Sequence, residues 1–159
     1  MLRRATVILF GLLGLHPATA VAQTVTLTVS NAGSLMQNAT LADYGNGYIV
    51  DDTPVSYTVT LSGSTSVCAT VYLAGATNAA AKGLSDVTWG TNATIQNAPL
   101  STNAARVASH FLTTSSRTAT GTVYFKTSLA WADGPQTYLG PSLTFSVTGR
   151  RVSNQNQCT

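Results

Sequence analysis

The chain contains no glutamate, and its 159 residues include only five aspartates, two cysteines and two histidines. Each scarcity removes a class of chemistry. Glycoside hydrolysis by a carboxylate pair needs two acids at a fixed separation, and the aspartates here are scattered. Structural zinc needs closely spaced thiolates and imidazoles, which two cysteines and one distant histidine do not supply. Nucleophilic catalysis would have to use His110, the one histidine outside the first 22 residues. There is no G-x-S-x-G turn, and nothing in the sequence sets Asp86 or Asp133 beside it, so His110 reads as a surface or edge histidine. Asp43, Asn46, Asp51 and Asp52 fall in one loop region and could offer oxygens to calcium. Their spacing lacks the twelfth-position acid of an EF-hand, and a solvated turn is the simpler reading. The expectation is a protein without catalysis, cofactor or metal.

Charge is scarce too. Arg3 and Arg4 precede an apolar run over 6–15, and small residues follow, with Ala18-Thr19-Ala20 and Ala20-Val21-Ala22 both fitting a cleavage pattern. Residues 1–22 are therefore expected to be a signal peptide cut after Ala22. The alternative is an uncleaved anchor, because 6–22 reaches the lower limit of a spanning helix. Without that segment 137 residues remain, carrying six basic and five acidic side chains. A net charge of +1 leaves no basic stripe for nucleic acid. The remainder is long enough for one compact domain, assigned to 23–149 with a polar tail over 150–159. Low charge with abundant threonine, serine, alanine and valine suits an exported sheet protein, periplasmic or extracellular.

What is present is alternation. Thr24 to Ser30 reads TVTLTVS, apolar on every second residue. Val55, Tyr57, Val59 and Leu61 share a face, as do Val67, Ala69, Val71 and Leu73; the short link between these runs predicts a hairpin. Residues 43–48 are rich in glycine and asparagine and read as turn. Residues 85–89 read as a short strand with Trp89 inward, Gly90 to Ala105 as a long connection, and 107–113 as another strand. The best organised stretch runs from Ala119 to Arg150: Val123, Phe125, Leu129 and Trp131 on one parity, then Leu143, Phe145 and Val147, which predicts an antiparallel pair. Seven or eight antiparallel strands without a convincing helix imply an all-β, immunoglobulin-like two-sheet β-sandwich, with a jelly roll or barrel as the alternative.

Cys68 and Cys158 are the disulfide candidates, since export favours oxidation. Cys68 lies opposite the Val67/Val71 parity, so the tail would fold back over the outer face of that sheet. The alternatives are free thiols or an intermolecular bridge. Trp89, Trp131, Tyr57, Phe125 and Phe145 are expected to form an aromatic core. Tyr44, Tyr48 and Tyr138 stand in turn regions where exposed rings could contact a sugar or a protein. Asn38-Ala39-Thr40 and Asn92-Ala93-Thr94 match the glycosylation pattern, which matters only in a eukaryotic secretory route.

Leu84-Ser85-Asp86-Val87-Thr88-Trp89, the run ending Ser128-Leu129-Ala130-Trp131, the turn from Ala132 to Tyr138, and Leu143-Thr144-Phe145-Ser146-Val147-Thr148 resemble small secreted bacterial β-sandwich proteins, pilin-like and spore-coat-U-like. The resemblance covers about 83–149, and its motifs are structural. It implies an immunoglobulin-like sandwich with a non-enzymatic surface role, and it carries no functional residues with it. The expected function is a secreted structural or protein-interaction module, assembling by strand-edge pairing with itself or a protein partner. Alternatives are an accessory periplasmic subunit docked on a membrane complex, and a carbohydrate- or calcium-binding module. A membrane would be met only through an uncleaved signal or such a complex.

Overall fold

The computed structural model describes residues 23–30, 39–50, 54–77, 82–133 and 141–159. Among these residues the nine strands, in chain order, are β1 (Thr24–Ser30), β2 (Tyr48–Val50), β3 (Val55–Ser62), β4 (Val67–Ala76), β5 (Val87–Gly90), β6 (Ala98–Pro99), β7 (Ala105–Leu112), β8 (Thr118–Ser128) and β9 (Ser142–Arg151). They form two antiparallel sheets: β1-β3-β8-β5-β6 with β2 also on β8, and a smaller one in the order β7-β4-β9. The architecture is the expected all-β sandwich. The signal-peptide segment and the acids Asp51 and Asp52 lie outside the described residues.

The alternating faces become the core. Val55, Val59, Val67, Val71, Leu73, Val87, Leu112, Val123 and Phe125 are all buried, and both sheets contribute. Trp89 is buried with them as expected. Two expected pairings are corrected. The runs of β3 and β4 are not a hairpin, because β3 pairs with β1 and β8 while β4 pairs with β7 and β9. Likewise β8 and β9 lie in opposite sheets and are not an antiparallel pair. Both corrections have one physical reason: alternation specifies which face of a strand is buried and leaves its neighbour open. Two consecutive strands with apolar inner faces can sit side by side or face each other across a core, and here they face each other. The chain passes between sheets at 63–66, where Gly63 has φ 139°, a conformation that L side chains rarely adopt.

Tyr57 shows how the two sheets are joined. Its register partner on β8 is Gly121, and a Cβ there would stand 2.2 Å from the Tyr57 hydroxyl. The missing side chain lets the ring lie across β8 and reach His110 on β7.

The absence of a helix is also corrected. Leu41–Asn46 forms a helix, α1, where a turn was expected. The signal was present in Thr40-x-x-Asp43: the Thr40 side chain accepts from the Asp43 backbone N–H, and the Asp43 carboxylate accepts from the Thr40 backbone N–H at 2.7 Å. Gly47, at φ 74°, ends the helix. The expected 85–89 strand starts later, because Leu84–Asp86 is a 3-10 turn leading into β5. The connection after β5 is less irregular than expected: Asn92 pairs with Ile95, Gln96 is buried and donates to the Asn92 carbonyl at 2.9 Å, and β6 pairs back onto β5.

Candidate functional site

The two sheets have unequal strand numbers, and the mismatch falls at one corner. There β1 is the outermost strand of the larger sheet and β9 the outermost of the smaller, and no ladder joins them. They lie close: a Cβ on Gly149 would stand 2.8 Å from Cγ2 of Val25. Val25, Leu27 and Val29 of β1, with Leu143, Phe145 and Val147 of β9, pack against the core and are each only half-buried. This is an open seam. A cavity of about 260 Å³ lies within it, lined by Gln23, Val25, Val67, Val147, Gly149 and Arg151.

One end of the seam is closed by side chains. Gln23 Nε2 donates to the Thr65 carbonyl at 2.6 Å, the Thr65 hydroxyl donates back to Gln23 Oε1, and Arg151 Nε donates to the same oxygen at 3.0 Å. The tail continues from here. Val152 is buried and its N–H donates to the Ser66 carbonyl at 3.2 Å. Gln157 caps the turn by accepting from the Ser153 N–H at 2.8 Å. Arg150 donates to the Gln157 carbonyl. Cys158 then closes a disulfide with Cys68, Cα–Cα 5.1 Å, on the outer face of β4, as the parity argument required. Cys68 is buried beneath the returned tail. A disulfide fits an oxidising, exported environment.

The three tyrosine candidates separate. Tyr44 is corrected: it is buried, 8% exposed, in a satellite cluster with Leu129, Ala39 and Ile49. Its place on the inner side of a helix, rather than in a turn, is the reason. Tyr48 is exposed, and Lys126 Nζ lies 5.5 Å from its ring centroid. Tyr138 lies outside the described residues. The expectation for Trp131 is also corrected, because this ring is 67% exposed and stacks on Tyr44 at 5.5 Å between centroids. Strand β8 ends at Ser128, so the parity that would have sent Trp131 inward no longer applies.

Four titratable groups, Asp43, Tyr57, His110 and Asp133, are engaged in structure. His110 is half-buried on β7 with its Nε2 3.0 Å from the Tyr57 hydroxyl. Desolvation pulls His110 below the usual histidine range and pushes Tyr57 above the usual phenol range. Asp43 is held low by its hydrogen bonds to Thr40. Asp133 is held low first by its hydrogen bond from Lys82, 2.6 Å away, and then by that from the Ala130 N–H. No group of three or more His, Cys, Asp or Glu side chains gathers among the described residues. In the same residues no helix is long and apolar enough to cross a membrane. Comparison with family models, curated proteins and solved structures yields no match.

Proposed function

We propose that this protein is a non-enzymatic interaction module of the bacterial periplasm or cell surface, which associates with a protein partner or with copies of itself by taking an extended strand along the β1–β9 seam. The observation that carries the reading is the row of six half-buried apolar side chains between two sheet edges that have no outer ladder partner among the described residues. A guest strand along either edge would pair with main-chain donors and acceptors that no ladder uses among the described residues, and its alternate side chains would meet apolar surface. Sheet edges are ordinarily protected by charge, proline or bulges. β1 has none of these over its seven residues, TVTLTVS, and the charges of β9 come only at its end, at Arg150 and Arg151.

The resemblance to secreted β-sandwich proteins and the disulfide support the compartment. The non-enzymatic reading is supported by the engagement of His110 with Tyr57 and of Asp133 with Lys82.

The test uses hydrogen exchange on the purified protein, with and without a synthetic peptide of sequence TVTLTVS, over a wide range of protein concentration. Added peptide or rising protein concentration should protect amides of β1 and β9 and raise the melting temperature. Exchange at β1 and β9 that responds to neither would overturn the reading.

A further inference from the structure

The β1–β9 seam has a direction. Thr24 pairs with Ser62 and Arg151 with Val67, so the start of β1 and the end of β9 meet at one end of the molecule, beside the crossing at 63–66. There the Gln23 carboxamide holds Thr65 on one side and Arg151 on the other, across the path a guest strand would take. A strand lying in the seam therefore stops here. The charge at this stop has one sign. Arg150 and Arg151 end β9, and Arg117 joins them, since its carbonyl accepts from the Leu61 N–H. All three guanidiniums donate to neutral acceptors: Arg117 to the Thr114 carbonyl at 3.2 Å, Arg150 to the Gln157 carbonyl and Arg151 to Gln23. Both ion pairs among the described residues belong to Lys82. The described aspartates, Asp43, Asp86 and Asp133, belong to the far end of β8, where Ser128 pairs with Tyr48.

We infer, building on strand docking in this seam, that the guest is the C-terminal end of a different protein, whose last side chain enters the cavity of about 260 Å³ and whose carboxylate meets the Arg151 guanidinium. Direction and charge agree. A guest added antiparallel to β1 runs toward Thr24 and brings its carboxylate to the stop. One added antiparallel to β9 would bring an ammonium to the arginines, which repel it. Every ladder of both sheets is antiparallel, so β1 is the strand the guest pairs with. With Nε turned to Gln23, the carboxylate takes the Nη pair of Arg151, the bidentate arrangement that a guanidinium favours. Val25, Val67 and Val147 wall the cavity beside Gly149, which suits an apolar last side chain. A second copy does not fit: the chain's own end, from Asn154 to Thr159, is polar, and the disulfide of Cys158 ties it to the outer face of β4. The six half-buried apolar side chains hold the strand, and the carboxylate fixes where it ends.

The experiment titrates the full chain by calorimetry with three N-acetylated peptides: TVTLTV with a free carboxylate, the same sequence as its amide, and TVTLTVSGS, which runs past the stop. The acid should bind about tenfold tighter than the amide, the size of one charge-assisted hydrogen-bonded pair, and the extended peptide no better than the amide. Arg151→Gln, at an exposed position, should bring the acid down to the level of the amide and leave the amide unchanged. If acid and amide bind the parent chain equally, strand docking stands and capture of a C-terminus is overturned. If none of the peptides binds, both are overturned. An acid preference that survives in Arg151→Gln, or an extended peptide that binds as tightly as the acid, also overturns the capture.

Discussion

The hydroxyl of Tyr57 meets Nε2 of His110 inside an interface that is otherwise apolar, and burial moves both groups toward their neutral forms. Stability should follow both titrations. A histidine lowered from 6.5 contributes stability that is complete above about pH 6.5 and is lost as pH falls through its folded value. A tyrosine raised from 10.0 contributes stability that is complete below about pH 10 and is lost as pH rises through its folded value. Denaturant midpoints measured against pH should therefore form a plateau between these limits, and His110→Gln should remove the first acid-side decline. The lowered aspartates Asp43 and Asp133 act only at lower pH, from about 3.8 downward, so their loss is separable. An unchanged first decline below pH 6.5 in His110→Gln would refute the assignment. Close contact predicts a second effect: Gly121→Ala places a Cβ against Tyr57 and should destabilise by about 1–3 kcal/mol, read from the same midpoints. None of this was legible in the sequence, where His110 stood in a strand with no visible partner. Tyr57 is 53 positions away, and only the opposed sheets bring them together.

At the scale of elements, the sequence was most informative where one face of a strand is buried. The alternations of 24–30, 55–61, 67–73 and 143–147 each became a strand with the expected inner residues. The failures share a cause, since pairing partners depend on the path of the chain between strands. The crossings at 63–66 and after β8 send consecutive strands to opposite sheets, and no local pattern encodes that choice. The parity of Cys68 did carry tertiary information: a cysteine opposite the core face had to meet its partner outside the sheet, and the tail from Val152 onward folds there. This staple predicts a cost. Cys158→Ser opens a loop with a sequence separation of 90 residues, worth about 4–5 kcal/mol on the chain-entropy model. Denaturant unfolding should show a loss approaching that size, and limited proteolysis should clip the freed tail. A variant as stable as the parent, with a protected tail, would show that the hydrogen bonds of Gln157 and the burial of Val152 suffice.

For the whole molecule, the unequal sheets are the feature from which assembly is argued. Three strands facing a larger sheet leave the corner between β1 and β9 partly uncovered, and the half-burial of Leu27 and Val147 measures how far the core is open there. A guest strand would complete this edge through main-chain hydrogen bonds and apolar burial, with few charges taking part, since the seam's cavity has Arg151 as its one charged lining residue. Two consequences follow together. Uptake of the TVTLTVS peptide should persist, or strengthen, as salt is raised, because screening weakens charge attraction and leaves apolar burial intact. Leu27→Lys should abolish uptake while costing the isolated fold only about 1 kcal/mol, because a half-buried position lets the ammonium reach water. Calorimetric titration of the peptide into parent and variant at low and high salt checks both. Binding that disappears with salt would point instead to Arg150 and Arg151 as the attachment, and undiminished binding to Leu27→Lys would place the guest strand away from the seam.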